Sequence, residues 1–273
     1  MKVNMKKLIT ALLMAMLLLA SSVYATGTLA NAAKMYERGN YTETIALLKP
    51  LAMNGNAEAQ YNLGAMYDNG KGVKRDYVEA VKWFKLAAKQ GDAEAQARLG
   101  VMYDMGNGVK QNDAEAVKWY KLAAAQGVAE AQHNLGAIYA AGQGVTQNDT
   151  EAVKWFKLAA AQGVAEAQAK LAVMYDMGYG IKQDYVEAVK WYKLAAAQNE
   201  VVAQTRLGIA YKMGNGVAQD YLTAYMWLDL ATVQGNKVAK KYRDLIELKM
   251  TQQQIAEAQK LARECLARQH KGC

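Results

Sequence analysis

The sequence predicts an all-α protein built as an α-solenoid: five helical hairpins of 36 residues each, with a helical cap at either end. An internal repeat runs through the chain without insertion or deletion, and in each copy apolar residues recur twice at three- and four-residue steps. The composition agrees with this prediction. A single proline and 52% hydrophobic residues in a chain of 273 are typical of a helix-rich folded protein.

Residues 1–25 resemble an export signal. Three lysines precede an apolar run over 8–20 and a small-residue cleavage pattern ending at Ala25. We expect cleavage after Ala25, and an uncleaved anchor stays open because short apolar runs serve either purpose. Cleavage removes three lysines and no acid, so the net charge falls from +8 to +5. We expect the product in the periplasm or secreted, without membrane attachment in its mature form.

Residues 26–55 are expected to form an N-terminal capping hairpin that turns at Gly39, Asn40 and Tyr41. The five copies that follow within 56–235 span 56–91, 92–127, 128–163, 164–199 and 200–235. All five tryptophans fall on the 36-residue period, at Trp83, Trp119, Trp155, Trp191 and Trp227. Because such rings bury a large area, we interpret them as core rather than as a ligand platform.

Two helices are predicted in each copy. Ala59, Leu63 and Tyr67 recur every four residues on the first helix, and apolar residues around Trp83 form the stripe of the second. Between the stripes lies a Gly-x-Gly loop whose first glycine, Gly70 in the first copy, stands where a helix C-cap favours a left-handed residue. Neither helix can bury its stripe alone, so each hairpin needs its neighbour.

The pattern Ala59-Gln60-x-x-Leu63-Gly64-x-x-Tyr67-x-x-Gly70-x-Gly72-Val73, followed by Ala80-x-x-Trp83-x-x-x-Ala87-Ala88, resembles the Sel-one-like repeat, a relative of the tetratricopeptide repeat. The resemblance covers 180 of the 273 residues. It implies a right-handed α-solenoid that acts as an adaptor for protein complexes, in a family with many exported bacterial members.

Residues 236–273 are expected to form C-terminal capping helices, with a capping box at Thr251 that opens the last one. Cys265 and Cys273 lie eight residues apart, and thiols in an exported chain usually oxidise. A continuous helix would hold them about 12 Å apart, so a disulfide requires the tail to fold back. A free or intermolecular thiol stays open as the alternative.

The sequence does not indicate an enzyme. Downstream of the export signal there is no serine nucleophile, no phosphate-binding loop and no set of His and Cys residues suited to zinc, so we expect no cofactor or metal. Interspersed acids and bases indicate a solvated surface rather than a nucleic-acid patch. Carboxylates could serve a glycan hydrolase, but those that recur in every copy are better explained by helix stabilisation.

Positions that vary between copies predict a binding surface. If Leu63 and Tyr67 face the core, positions 61 and 68 and the adjoining position 69 lie toward a concave groove. The candidate partner-binding residues are Tyr61, Asp68, Asn69, Asp104, Met105, His133, Asp176, Met177, Lys212 and Met213. We expect a monomeric, non-enzymatic adaptor that binds a protein or peptide in the bacterial envelope, and keep cell-wall glycan binding or processing as the alternative.

Overall fold

A computed structural model describes residues 25–268 and residue 273, and every regular element within them is an α-helix. The predicted all-α class of stacked helical hairpins is confirmed. Most of the predicted export signal lies outside the described residues, as do residues 269–272. The chain divides after Gln126 into two compact units, called here the N-terminal and C-terminal units. Among the helices that the structure describes, none has the length and apolarity needed to cross a membrane.

The N-terminal unit contains the capping hairpin and the first two copies of the repeat. Its helices are α1 (25–37), α2 (Tyr41–Met53), α3 (Ala57–Asn69), α4 (Tyr77–Lys89), α5 (Ala93–Met105) and α6 (Asp113–Ala125). The turn between α1 and α2 contains Gly39, as predicted. Each helix packs on the next along the chain from α2 to α6, so the apolar stripes are covered by sequence neighbours.

The C-terminal unit contains the other three copies and the C-terminal cap. The copies comprise α7 (Ala129–Ala141), α8 (Asp149–Ala161), α9 (Ala165–Met177), α10 (Tyr185–Ala196), α11 (Val201–Met213) and α12 (Tyr221–Val233). The cap consists of α13 (Lys237–Glu247) and α14 (Gln252–Ala267). Both α13 and α14 pack against α12.

The helix ends follow from local side-chain chemistry. Asp76 caps α4 by accepting a hydrogen bond from the main-chain N–H of Glu79 at 3.0 Å, and Glu79 in turn pairs with Lys82 at 2.8 Å. Gly70 ends α3 in the left-handed conformation, with φ of 66°, as the loop pattern predicts. A Cβ on Gly108, the second loop glycine of the next copy, would lie 2.3 Å from the carbonyl oxygen of Tyr77, so this loop packs directly on the start of α4.

The predicted core residues Leu63 and Ala80 are buried, but most of the tryptophans lie at the edge of the core. Four of the five tryptophans are only half-buried, packed at the edge of the core, and Trp227 alone among them is fully buried. The residue after each tryptophan is almost completely buried, as Phe84 illustrates. A Cβ on Gly64 would lie 2.8 Å from the Phe84 ring, so the small residue on the first helix makes room for this ring. The interpretation of the tryptophans as core holds fully for Trp227, and in the other four copies the residue that follows the tryptophan fills the centre.

Buried glutamines join successive repeats within each unit, and sequence reasoning did not single them out. They are Gln60, Gln96, Gln132, Gln168 and Gln204, each no more than 5% exposed. Gln168 Nε2 donates to the Ala160 carbonyl oxygen at 3.1 Å, at the end of α8, and Gln168 Oε1 accepts from Gln198 Nε2 at 2.9 Å, beyond the end of α10. One side chain thus links three helix ends from two copies.

The C-terminal cap covers the last copy. Leu230 on α12 is 1% exposed, whereas Leu194, its counterpart 36 residues earlier, is 51% exposed. The predicted capping box is present, because Thr251 and Gln254 exchange side-chain and main-chain hydrogen bonds at the start of α14. Cys265 is bonded to Cys273 with their Cα atoms 5.6 Å apart, which confirms the predicted intramolecular disulfide.

Candidate functional site

The first helix of every copy has one face whose residues are exposed or half-buried rather than buried in the core. This first-helix face consists of positions 58, 62, 65 and 69 and their counterparts at 36-residue intervals, which follow the spacing of one helix face. In the N-terminal unit it comprises Glu58, Asn62, Ala65, Asn69, Glu94, Arg98, Val101 and Met105. In the C-terminal unit it comprises Glu130, Asn134, Ala137, Ala141, Glu166, Lys170, Val173, Met177, Val202, Arg206, Ile209 and Met213.

This face has four rows of distinct chemistry in each unit. An acidic residue leads the first four copies, an amide or basic residue follows, then a small or aliphatic residue, and then Asn, Met or Ala. The predicted candidates Asn69, Met105, Met177 and Met213 form the last row, and all four are exposed. The rows at positions 62 and 65 belong to the same face. Sequence reasoning missed Arg98, Lys170 and Arg206 there, although a step of three or four residues back from position 65 would have found them.

In the N-terminal unit, Asp68 lies beside the first-helix face. Partial burial raises the pKa of its carboxyl group, while the positive charges of Arg98 and Arg75 oppose that rise. An open pocket of about 360 Å³ lies between α1 and α3, with Tyr36, Leu48 and Tyr61 in its lining. Tyr61 thus lines this pocket, whereas Asp68 lies outside it, near the end of α3. Asp104 is half-buried next to exposed Met105.

In the C-terminal unit, Asp176 is the centre of a small polar cluster. Tyr192 donates its hydroxyl hydrogen to Asp176 Oδ2 at 3.2 Å, and Arg206 Nη1 lies 3.8 Å from the same oxygen. Burial, and next the negative charge of Asp176, raise the pKa of Tyr192 above its ordinary value, so this phenol stays protonated. The ammonium group of Lys212 also has a contact within the chain, because its Nζ lies 5.1 Å from the centre of the Tyr242 ring on α13.

Position 61 does not form an open row of the groove, contrary to the prediction. Its counterparts Ala97, Ala169 and Thr205 are buried. Tyr61 and His133 are half-buried because their rings pack on Phe84 and Phe156. The second helix of the same copy covers this side of the first helix.

His133 is the candidate that this packing changes most. Its imidazole ring centre lies 5.8 Å from that of Phe156, and its Nδ1 is buried without a hydrogen-bond partner. Burial lowers the pKa of His133, and the positive charge of Lys170 acts in the same direction, against Glu166 and Glu130. His133 is therefore mainly neutral at physiological pH, so it is a packing residue more than a charged contact.

The described residues bring together no group of three His, Cys, Asp or Glu side chains that could hold a metal ion. The arrangement offers exposed thioethers, aliphatic side chains and charges on one face. Groups of these kinds are suited to noncovalent surface contacts.

The family model of the Sel1 repeat matches residues 57–92, 93–128, 129–164, 165–200 and 201–236. The chain belongs to the Sel1-repeat family. The matched copies begin one residue after the copies defined from the tryptophan period. Sel1-repeat proteins generally act as scaffolds for protein–protein interactions, and the fold is typically non-catalytic.

Two solved Sel1-repeat structures are similar to this chain at more than 30% identity. A Sel1 repeat protein from Oxalobacter formigenes shares 34% identity, with 78% of this chain and 88% of that chain covered and a TM-score of 0.73. A protective antigen present in uropathogenic Escherichia coli strains, which displays an SLR fold, shares 33% identity at a TM-score of 0.79. That match covers 98% of this chain but 57% of the antigen. No curated protein gives a significant match.

Proposed function

We propose that this Sel1-repeat protein is a non-enzymatic adaptor of the bacterial envelope that binds a protein or peptide along its first-helix face. The observation that carries the proposal is the contrast between the core and this face. The core leucine is the same in all five copies, at Leu63 and its counterparts, whereas position 69 reads Asn, Met, Ala, Met and Met. A face that differs from copy to copy can recognise a partner whose own sequence does not repeat.

The exposed methionines supply adaptable apolar contacts. Met105, Met177 and Met213 are 66%, 40% and 57% exposed, and each follows an aliphatic residue of the same face by one helical turn. Flexible thioethers suit contacts with peptides and helices of varied shape. Charged groups beside them, among them Glu166 and Lys170, would set the orientation of the partner.

The envelope location rests on two features of the chain. The first 25 residues have the pattern of an export signal, and Cys265 is bonded to Cys273. Structural disulfides persist in oxidising compartments such as the periplasm and are rare in the cytosol. Fractionation of the native cells, followed by N-terminal sequencing of the isolated protein, tests this part of the proposal. A cytosolic product that still carries residues 1–25 would contradict it.

The binding face is tested by capture from envelope extracts. A triple substitution of Met105, Met177 and Met213 to Glu is compared with the unchanged chain. The matched control places Glu at three similarly exposed leucines of the second helices, Leu122, Leu158 and Leu194. We expect the methionine variant to lose the captured protein and the leucine variant to retain it.

Two results would contradict the proposal. Equal recovery by the methionine variant would remove the first-helix face from recognition. Retention of the purified chain on peptidoglycan or polysaccharide, without a captured protein, would favour the glycan-binding alternative.

A further inference from the structure

An open cleft of about 750 Å³ lies within the C-terminal unit, where the third and fourth copies of the repeat meet. Buried Phe156 and Met174 contribute to its lining, together with the small side chains of Ala140 and Ala141. The exposed side chain of Lys170 also lines the cleft. The cleft is continuous with the first-helix face, because Ala141 and Lys170 belong to both.

The next junction, between the fourth and fifth copies, has the same register with different residues. Asp176 and Met177 stand where the cleft has Ala140 and Ala141, and the cavity there is about 210 Å³. Tyr192 and Arg206 both contact Asp176, so the carboxylate, the phenol and the guanidinium satisfy one another. This junction is narrower, and its charge is balanced within the chain.

The cleft lacks the carboxylate and the phenol of this cluster but keeps a positive charge. Ala140 provides no carboxylate, and Phe156 has no hydroxyl group where the next copy has Tyr192. Lys170, the counterpart of Arg206, forms no ion pair within the part of the chain that the structure describes. Asp149 also lines the cleft, but its carboxylate accepts from Gln147 at 3.5 Å rather than from Lys170. An exposed cation therefore lies beside a cleft whose lining is mainly apolar.

We infer that this cleft anchors the partner by taking up a bulky apolar side chain, aromatic or leucine, whose neighbouring carboxylate pairs with Lys170. The inference rests on the proposed function and names the chemistry of its partner. The volume falls in the range of about 300–1,000 Å³ that is usual for pockets that enclose small ligands, which is enough for a large side chain. A buried apolar anchor with a charged contact at its edge is typical of an interface hot spot.

The cleft can be closed with residues that the chain already uses at this register. The double variant Ala140→Asp and Ala141→Met copies the residues of the next junction, so it fills the cleft and gives Lys170 an internal partner. Circular dichroism would check that the helices are retained. Leu158→Glu, on the exposed side of a second helix, is the matched control.

The probe is a random-peptide display library selected on the full chain. We expect the selected peptides to carry an aromatic residue or leucine next to Asp or Glu. Their affinity should fall at least roughly tenfold in the double variant, as the loss of a hot-spot contact does, and stay unchanged in the Leu158→Glu control. Lys170→Glu should reverse the charge preference, so that peptides with Lys in place of the acid bind better than the original ones.

Selected peptides without this pattern, or unchanged affinity in the double variant, would overturn the inference. The methionine triple variant separates this failure from that of the proposed function. Peptides that lose binding in the triple variant alone would leave the first-helix face in place and exclude the cleft. Peptides indifferent to both variants would remove both.

Discussion

Substitution of Gln168 by alanine should destabilise the C-terminal unit by about 2 kcal/mol. Gln168 is 5% exposed and makes two hydrogen bonds, one to the Ala160 carbonyl and one from Gln198. Each bond contributes a net of roughly 0.5–1.5 kcal/mol, which gives about 2 kcal/mol for the pair. No large additional cost is expected, because the Ala160 carbonyl still accepts from the main-chain N–H of Gly163 at 3.0 Å and Gln198 can turn to water.

The assay is urea unfolding followed by circular dichroism of the helices. Gln253→Ala is the control, because Gln253 is exposed on α14, and a surface substitution of this kind changes stability by less than about 0.5 kcal/mol. If Gln168→Ala lowered the free energy of unfolding as little as Gln253→Ala does, the buried glutamines would not couple the repeats and the prediction would be refuted. A loss of about 2 kcal/mol would support it.

Three further predictions concern the C-terminal unit. Cys273→Ala should lower the stability of α14 by at most about 2.6 kcal/mol, which is the entropic contribution of a disulfide that closes so short a loop. The amide hydrogens of α14 should then exchange faster, and unchanged exchange would contradict the prediction. Burial lowers the His133 pKa below its unfolded value of 6.5, so the unfolded chain binds the proton more tightly and stability falls as the pH drops through that value. His133→Ala should therefore lose less thermal stability than the unchanged chain between about pH 7.5 and 5.5, and an equal loss would refute the burial of this imidazole. Gly180→Ala should lower the free energy of unfolding by more than about 2 kcal/mol, because its Cβ would lie 2.2 Å from a main-chain carbonyl carbon of α8. The control Gly163→Ala, with nothing within 4 Å, should cost about 1 kcal/mol in the same chemical unfolding. Similar losses in both variants would contradict the clash.

The regular part of the fold was predictable because it follows from periodicity. The repeat length fixed where each pair of helices begins and ends, and the left-handed conformation of Gly70 follows from its place after the last apolar residue of α3. The capping box at Thr251 has a local sequence pattern that needs no tertiary information. These features depend on residues close together in the chain.

The errors came from contacts between helices. Trp83 is large and regularly spaced, but Gly64 on the first helix makes room for Phe84, so the smaller ring occupies the centre. Gln60 is polar and its burial was not predicted, yet its amide donates to the Ala52 carbonyl at 2.9 Å inside the stack. Periodicity cannot reveal which of two adjacent residues meets a neighbouring helix.

The candidate site was predictable only where the periodicity of the first helix alone decides exposure. Met177 and Met213 are exposed as expected, because position 69 lies far from both covered sides of the first helix. Position 61 packs on the second helix, which a helical wheel of the first helix alone does not show. Asn199 stands where the preceding copy has Gly163, and it takes the same left-handed conformation, with φ of 66°. Its Oδ1 also accepts from Gln234 Nε2 at 2.8 Å, a bond that the repeat pattern does not show.

The central claim is that recognition takes place on the first-helix face of the stacked repeats. Site-specific photo-crosslinking in the native cells tests it most directly, with a photoreactive amino acid placed either at Met177 on the first-helix face or at Leu194 on an exposed second-helix surface. Both positions are exposed in the same unit and the same copy. The account predicts a discrete crosslinked partner protein from position 177 and none from position 194. A partner crosslinked from 194 alone would contradict it.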